Sequence, residues 1–337
     1  MVSLSQVIAS NQRIATLPPG LVAVFVGGTS GVGEYTVKAF ARYAVSPRVY
    51  IVGRSQEAAD RIIAECQQTN PAGCFTFLPG DVSLLATVDE VCREIREKES
   101  AINLLVETQG TMAYSRITAE GLPLAFATAT HSRLRFILNL LPLLQKARSL
   151  RRVVSVLAAS CEGPIDMTNM PALGFALYKS RDQMASIQTL LLEEACRRAP
   201  DVSFVHTVPG VVRGGITRDA ESNGLLIAVF NLLMPFVATP AAECGERHVF
   251  LATSAVYPPS QGAGKGAGVV YPENSSPCRG SDGKAGSGMY TVDNKGEASP
   301  AKVERLLAGF RADGTATKVW EYIEADMKRI TGQHCQQ

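Results

Sequence analysis

Short runs of apolar residues alternate along the first two thirds of the chain with segments whose apolar residues recur at helical spacing. Apolar runs bounded by turn residues are typical of strands buried on both faces. The predicted strands are Leu21–Val26, Val49–Val52, Cys74–Leu78, Ile102–Val106, Val153–Leu157 and Val202–Val208. Helices are predicted between them, near residues 34–43, 56–68, 83–98, 119–150 and 177–198. This alternation predicts an α/β fold with a doubly wound parallel sheet, which binds ligands at the carboxyl ends of its strands.

The regular alternation stops beyond the sixth strand. The run Leu225–Val237 is apolar nearly throughout but shorter than the ~18 apolar residues that a membrane-spanning helix needs. Two interpretations stay open for it, a buried helix or dimer contact and a lid over an apolar substrate. Residues 257–299 are rich in Gly, Pro and Ser and predict a long loop with a short strand at Met289–Val292. Helices are expected from Pro300 and over residues 315–331.

A glycine-rich turn follows the first strand and precedes a helical run. The missing side chains let Gly27 turn the chain sharply, let a pyrophosphate approach the backbone at Gly31, and let the helix pack closely at Gly33. The helix start presents unpaired N–H groups and a positive dipole end to a phosphate. The turn therefore predicts a dinucleotide site. Its predicted residues are Gly27, Thr29, Ser30, Gly31, Val32 and Gly33.

The end of the second strand bears on which dinucleotide is bound. An acidic residue there accepts hydrogen bonds from a ribose 2′-hydroxyl, whereas a basic residue pairs with a 2′-phosphate. Gly53 fills the acidic position, and Arg54 and Ser55 follow. This arrangement favours NADP(H) over NAD. The alternative for Arg54 is a solvated arginine at a strand end.

The sequence LVAVFVGGTSGVG, with glycines spaced G-x-x-x-G-x-G, resembles the nucleotide-binding turn of the short-chain dehydrogenase/reductase superfamily. That family usually has Thr where this chain has Val26. The length, this opening and the late segment GMYTVDNKGEAS are similar to a filamentous-fungal subgroup often encoded with natural-product pathways. The resemblance covers about residues 20–255. It implies a Rossmann-type fold that binds a nicotinamide cofactor.

The resemblance implies further cofactor contacts. Asp81 and Val82 match an aspartate–hydrophobe pair beside the adenine, although Asp81 alone would also suit a helix start. The fourth strand ends in ETQG rather than the usual NNAG, so that Gly110 is what remains of that motif. Pro209–Gly210 matches the segment beside the nicotinamide.

The family transfers hydride with Asn, Ser, Tyr and Lys, and the lysine ammonium lowers the pKa of the tyrosine, the general acid/base. In this chain the matches are degenerate. Taking Tyr178 as the tyrosine puts Asp182 at the lysine position, whereas taking Arg181 as the cation puts Leu177 at the tyrosine position. A slip of one residue turns a helical side chain by about 100°, so the two registers differ in chemistry. The catalytic candidates are Tyr178, Lys179, Arg181 and Ser160.

The other expected active-site positions hold different residue types. The two serines at the end of the fifth strand are replaced by Leu157 and Ala158, and the helix asparagine falls near Ala129. His206, at the end of a buried strand, is expected to be a satisfied core histidine rather than a base. His131 opens a helix and is expected to be a cap or surface residue.

Composition narrows the class of protein. Hydrophobic residues make up 46% and charged residues 19% of the chain, as in an ordinary globular protein, and the net charge of +2 gives no reason to expect nucleic acid. The 8 cysteines show no CxxC or Cys/His spacing, so no metal site is predicted and a reducing cytoplasmic location fits. The N-terminus does not read as a signal peptide, and no transmembrane segment is expected.

Three functions stay open. The first is an NADP(H)-dependent oxidoreductase acting on a bulky apolar small molecule, in secondary-metabolite biosynthesis. The second is a non-redox enzyme on the same fold, such as a cyclase, isomerase or dehydratase, and the third is a non-catalytic cofactor-binding protein. We expect an arm over 1–20, a nucleotide-binding domain over 21–255 and, over 256–337, an extension of that domain that caps the substrate. By analogy with the family, a homodimer is also expected.

Overall fold

A computed structural model describes residues 2–216, 237–271 and 276–332. Seven parallel strands form one sheet in the order β3-β2-β1-β4-β5-β6-β7. The reversal of strand order between β1 and β4 opens the crevice in which folds of this kind bind their ligands. The strands are β1 Val22–Val26, β2 Arg48–Gly53, β3 Cys74–Pro79, β4 Leu104–Glu107, β5 Arg152–Val156, β6 Ser203–Thr207 and β7 Met289–Val292.

Helices cover both faces of the sheet. They are α1 Leu4–Gln12, α2 Gly31–Tyr43, α3 Gln56–Thr69, α4 Leu85–Lys98, α5 Leu124–Phe126, α6 Ser132–Lys146, α7 Leu177–Arg198, α8 Ala241–Thr253, α9 Ala263–Gly266, α10 Ala301–Ala312 and α11 Thr315–Thr331. One apolar layer joins α1, α2, α3 and α8 to the sheet, and a second joins α4, α6 and α7 to its other face. The predicted doubly wound α/β architecture, a Rossmann-type single domain, is confirmed.

The strand and helix limits differ from the predicted ones by a few residues. β4 begins at Leu104 rather than Ile102, and β5 ends at Val156, so Leu157 follows the strand. The predicted helix over 119–150 is interrupted by the π-helical turn Ala127–His131 between α5 and α6. A π turn is commonly found at functional sites, because it changes the direction in which the following side chains point.

The amino end of α4 is capped from a distance. The Glu120 carboxylate accepts hydrogen bonds from the backbone N–H groups of Leu85, at 2.7 Å, and Ala86, at 3.0 Å. Ser83, at which the predicted helix begins, lies before α4 and does not cap it, and its own N–H donates to the Asp81 carboxylate at 3.1 Å. At the start of α3, in contrast, the hydroxyl of Ser55 accepts from the N–H of Ala58 at 3.2 Å.

The chain beyond residue 255 belongs to the same domain. Its strand β7 pairs with β6, and α10 and α11 bury a third apolar cluster against α5, α6 and α7. Of the apolar run Leu225–Val237, residues 225–236 lie outside the described residues, and Val237 is exposed. Among the helices that the structure describes, none is long and apolar enough to cross a membrane. The predicted limits between arm, domain and extension stay a prediction.

Candidate functional site

A cavity of about 270 Å³ lies at the carboxyl edge of the sheet. Its walls come from the turns that follow β1, β2, β3, β4, β5 and β6, together with the start of the α5–α6 region. The residues that line it are Gly27, Thr29–Val32, Gly53–Ser55, Gly80–Ser83, Thr108–Thr111, Leu124, Thr128, Arg133, Val156, Leu157, Pro209, Gly210 and Val212–Ile216. The cavity therefore lies where a doubly wound sheet binds a nucleotide.

The glycine turn has the geometry of a phosphate cradle. Gly27 and Gly31 have φ of 78° and 55°, in the left-handed region that favours glycine. A Cβ on Gly33 would lie 2.4 Å from the carbonyl oxygen of Gly27 and 2.6 Å from Thr108 Oγ1, so a side chain there would collide with backbone. Ser30 is the residue before α2, and its hydroxyl caps no N–H of that helix. The helix amides and this hydroxyl are therefore placed to bind a phosphate.

The end of β2 forms one wall of the cavity. Gly53 is buried there, and a Cβ at this position would lie 2.7 Å from both Oγ1 and Cγ2 of Thr29. The turn thus has no room for the acidic side chain that would bind a ribose 2′-hydroxyl. Arg54, which is exposed, and Ser55 line the cavity instead.

The remaining cofactor residues predicted from the sequence also lie at the cavity. Asp81, Val82, Gly110, Pro209 and Gly210 all line it. One carboxylate oxygen of Asp81 holds the N–H of Ser83, which fixes the side chain at the wall. Of the predicted cofactor set, Gly33 alone does not line the cavity, in keeping with its predicted role in close packing.

The loop after β6 closes one side of the cradle. The Tyr35 hydroxyl donates to the carbonyl oxygen of Arg213 at 3.1 Å, which ties this loop to α2. A Cβ on Gly31 would lie 3.0 Å from Cα of Gly214, so two glycines face each other.

The four catalytic candidates are not brought to the cavity in the part of the chain that the structure describes. Tyr178 is 57% exposed in the first turn of α7, and Lys179 beside it is exposed. Arg181 pairs with Asp182 at 2.7 Å, and the Ser160 hydroxyl bonds the Ser299 hydroxyl at 2.7 Å. Their catalytic assignment stays a prediction.

Neither predicted register of α7 places a tyrosine at the cavity. In one register the tyrosine is the exposed Tyr178, and in the other its place is taken by Leu177, which is 53% exposed. The strand end that carries serines in the family presents Leu157 to the cavity and buries Ala158. This end of the cavity is therefore apolar where the family pattern is polar.

A polar layer lies under this end of the cavity, on the sheet face that α6 and α7 cover. Glu107, Ser155 and His206 stand side by side on β4, β5 and β6, and all three are fully buried. Arg133, Gln188, Thr189, Glu162 and Gln109 complete the layer, and each is buried. Polar side chains replace the apolar ones that the same face of the sheet carries nearer its middle.

Arg133, the first residue of this layer that the sequence did not single out, links two strand ends. Its Nη1 donates to the carbonyl oxygen of Glu107 at 3.0 Å and to Ser155 Oγ at 2.6 Å. Its Nη2 donates to the carbonyl oxygens of Gln109 and Val156, the latter at 3.0 Å. It also lines the cavity, one turn along from Ala129, where the family asparagine was expected. The sequence signal that could have indicated this role is the position of a charged residue among the apolar residues of α6.

His206 joins the layer through a chain of hydrogen bonds. Its Nε2 accepts from the backbone N–H of Ala158 at 3.3 Å, so the ring proton is on Nδ1. Nδ1 donates to Thr189 Oγ1 at 2.8 Å, and Thr189 donates to Glu162 at 2.9 Å. The expectation of a satisfied core histidine is confirmed. The expectation that His131 is a cap or surface residue is wrong. Its side chain is fully buried and bonds Thr130 and Asp326.

Burial dominates the electrostatics of the layer. It raises the pKa of Glu107 to about 8, against the opposing charge of Arg133 and the neighbouring Ser155 hydroxyl, which makes no hydrogen bond to the carboxyl oxygens. It raises the pKa of Glu162 to about 7 and lowers the pKa of His206 to about 3. Arg133 keeps its charge at neutral pH, since burial lowers its pKa only to about 10. The sequence held a signal for Glu107, because it stands where the family's NNAG motif has an asparagine.

The fold and the cavity define a class, the nucleotide-binding α/β proteins. Comparisons with known proteins narrow it. The family model for short chain dehydrogenase matches residues 21–170. An oxidoreductase of Emericella nidulans is 37% identical over 333 residues, covering 97% of this chain and 98% of its own length. The short-chain dehydrogenase/reductase SAT2 of Stachybotrys chartarum is 30% identical, with 92% of this chain and 93% of its own length covered.

The chain therefore belongs to the short-chain dehydrogenase/reductase family, a family of oxidoreductases. Among solved structures, the complex of RhlG from Pseudomonas aeruginosa with NADP has a TM-score of 0.52 and 20% identity. The matched region covers 74% of this chain and 94% of the RhlG chain, and this likeness supports the fold alone. Among the described residues, no group of His, Cys, Asp and Glu is arranged to hold a metal ion.

Proposed function

We propose that this protein is an NADP(H)-dependent oxidoreductase that interconverts a carbonyl and an alcohol on a bulky apolar small molecule. The observation that carries the NADP(H) assignment is the wall formed by Gly53, Arg54 and Ser55. It has no room for an acidic side chain, and it brings a guanidinium to the cavity. A guanidinium matches a 2′-phosphate in both charge and geometry.

The residues present fit such a cofactor. The amides at the start of α2 and the Ser30 hydroxyl would hold the pyrophosphate, and Asp81 with Val82 would border the adenine. Gly110 and Pro209–Gly210 would border the nicotinamide. When bound, the reduced cofactor supplies a hydride. The chain's own residues bind and orient it.

The substrate class follows from that apolar end. Leu124, Val156 and Leu157 face the cavity where the family has polar catalytic groups nearby, and the apolar Val212 and Ile216 line the cavity as well. An apolar wall gains free energy by covering apolar substrate surface, at roughly 25 cal/mol per Å² buried. We infer a bulky apolar metabolite and a role in secondary-metabolite biosynthesis, which the sequence resemblance implies, in a cytoplasmic setting, which fits the scattered cysteines.

The test is a comparison of NADPH and NADH binding by isothermal titration calorimetry. Loss of a charge-assisted bond to a phosphate is worth about 1.5–3 kcal/mol, which is about ten- to a hundredfold in Kd. We expect Arg54→Gln to weaken NADPH binding by that factor and to leave NADH binding unchanged. Arg305→Gln, which removes an exposed charge on α10, is the matched control. Equal binding of both cofactors by the wild type would contradict the proposal.

A second candidate is a non-redox enzyme on the same fold, a cyclase, isomerase or dehydratase. The observation that favours it is the apolar pair Leu157 and Ala158 at the strand end, with Tyr178 away from the cavity. Shaping a substrate in an apolar cavity accelerates such reactions through orientation. Product formation that continues after all NADP(H) is removed would favour this candidate over the first.

A further inference from the structure

Among the described residues, six of the twelve buried side-chain polar atoms that have no hydrogen-bond partner lie in the polar layer beneath the cavity. They are Glu107 Oε1 and Oε2, Gln109 Oε1, Arg133 Nε, Glu162 Oε2 and Gln188 Oε1. Buried polar atoms are nearly always paired, and those that find no protein partner bind ordered water. Such atoms in one layer are the groups to which ordered water between β4, α6 and α7 would bind.

Glu107 differs from the other charged groups of the layer. The terminal N–H groups of Arg133 donate four hydrogen bonds, to three backbone carbonyls and to Ser155, and none of them reaches the Glu107 carboxyl. A fully buried carboxyl without an ion pair is more stable as the neutral acid. Glu107 therefore keeps a proton at neutral pH inside the protein, in agreement with its raised pKa of about 8.

Two residues of this layer, Gln109 and Arg133, connect Glu107 with the cavity. Gln109 lies two residues beyond Glu107, lines the cavity, and has a side-chain oxygen without a partner among the described residues. Arg133 lines the cavity as well and holds both Glu107 and Gln109 by their backbone carbonyls. The backbone around the route is thus fixed by one buried side chain.

We propose that Glu107 is the proton source for carbonyl reduction in this cavity and delivers its proton through internal water beside Gln109. The proposal rests on the proposed function. In the balanced step, the carbonyl carbon takes the hydride with its electron pair, and the carbonyl oxygen takes a proton from that water. The water takes the proton of Glu107, and the Glu107 carboxylate regains a proton from bulk solvent.

The other titratable groups around Glu107 are suited to different tasks. Arg133, on α6, stays charged and acts as the cross-link between strand ends. His206, on β6, stays neutral with its Nε2 committed to the N–H of Ala158. Glu162 lies at the far end of the His206 chain and accepts from Thr189. Loss of the Glu162 carboxyl is therefore a matched control for loss of the Glu107 carboxyl.

The experiment compares wild type, Glu107→Gln and Glu162→Gln in the NADPH-dependent reduction of 2-tetralone, an apolar bicyclic ketone, from about pH 6 to about pH 9. Glutamine keeps the shape of the side chain but carries no titrating proton. General acid catalysis contributes about 10²–10⁴-fold, so Glu107→Gln is expected to lower kcat about a hundredfold. The wild-type rate falls as the pH rises through about 8, and Glu107→Gln loses that dependence, whereas Glu162→Gln keeps it.

An infrared titration of the same proteins gives a readout apart from turnover. The wild type is expected to show the carbonyl stretch of a buried neutral carboxylic acid, which disappears as the pH rises through about 8. Glu107→Gln lacks the component of this band that disappears near pH 8 and keeps the component of Glu162, which disappears near pH 7, whereas Glu162→Gln keeps only the component near pH 8. An ionised Glu107 at neutral pH would overturn the proposal.

Two further outcomes separate the possible failures. If Glu107→Gln reduces the ketone like the wild type while Tyr178→Phe does not, the proton comes from Tyr178 and the Glu107 proposal is overturned. Binding of NADPH to the wild type is measured separately by calorimetry. A wild type that binds no NADPH overturns the proposed function, whereas a wild type that binds it and turns over equally with Gln at position 107 overturns only the proton source.

Discussion

Gly33 shows how one missing side chain holds two elements together. Because its ideal Cβ would lie 2.4 Å from the carbonyl oxygen of Gly27, even a methyl group forces α2 away from the cradle. We expect Gly33→Ala to lower the free energy of unfolding by about 1–3 kcal/mol, the usual effect of overpacking, and to weaken NADPH binding. Urea denaturation and calorimetric titration of the cofactor measure the two effects.

Gly309→Ala is the control at the same scale. Gly309 lies inside α10, and a Cβ there would meet nothing within 4 Å. Alanine at such a position stabilises a helix by about 0.5–1 kcal/mol, so this variant is expected to be more stable than the wild type. Equal stability of the two alanine variants would show that the close packing of α2 against the cradle does not require glycine at position 33.

At the scale of elements, α4 depends on a carboxylate 35 residues away in the chain. Glu120 holds the N–H groups of Leu85 and Ala86, and so it fixes both the helix start and the loop that leads from Thr111 at the cavity. We expect Glu120→Ala to lower the free energy of unfolding by about 1 kcal/mol, since two helix amides lose their acceptor. Urea denaturation measures the change.

Glu321→Ala, on the exposed face of α11, is the control for this prediction, because it removes the same charge away from a helix start. Its stability is expected to stay within about 0.5 kcal/mol of the wild type. A similar loss in both variants would mean that overall charge, and not the cap, explains the change.

The π turn is the second element that shapes the site. It widens one turn of the helical segment immediately before Arg133, the residue that reaches the ends of β4 and β5. Ala129, one turn earlier, is the expected asparagine position and carries no polar group. The helix therefore organises this edge of the sheet with a guanidinium that makes four hydrogen bonds.

At the scale of the molecule, the C-terminal helices add a further layer to the fold. Val319, Trp320, Ile323 and Met327 of α11 are buried in the cluster that also holds the buried residues of α5. His131, the last residue of the π turn, bonds Asp326 of α11 at 3.3 Å, so α11 is tied to the segment that presents Arg133. The predicted homodimer, which the family forms through the helices beside its active site, stays a prediction.

The pH dependence of global stability follows from the buried groups together. Glu107 and Glu162 have folded pKa values of about 8 and about 7, above the ordinary 4.5, so their stabilisation is lost as the pH rises through this range. His206 and His248 have folded values of about 3 and about 4, below the ordinary 6.5, so their stabilisation is lost as the pH falls below 6.5.

These opposite signs predict a maximum of stability between about pH 4.5 and about pH 6.5, with a decline above it. Urea denaturation in steps of pH measures the curve. The double variant with Gln at positions 107 and 162 is expected to lose most of the alkaline decline, and the single variants to lose part of it. Stability that stays level from about pH 6 to about pH 8 would contradict the buried, neutral state of both carboxyls.

The sequence by itself determined the sheet, its helices and the cradle. Buried strands and amphipathic helices follow from local apolar patterns. The glycines at positions 27, 31 and 33 indicate a tight turn because they have no side chain. For the same reason the strand ends at Arg54, Asp81 and Pro209 could be predicted to meet at one edge. The parallel topology brings every strand's carboxyl end there.

The tertiary structure alone decided what surrounds the reacting end of the cavity. The cap of α4 by Glu120, the burial of His131 and the row of Glu107, Ser155 and His206 join residues far apart in the chain. No local pattern encodes such pairs, because a buried polar group owes its charge state and its partners to whatever the fold packs against it. The position of Tyr178 was likewise decided by the tertiary structure. Its side chain lies in the first turn of α7, exposed and outside the cavity lining.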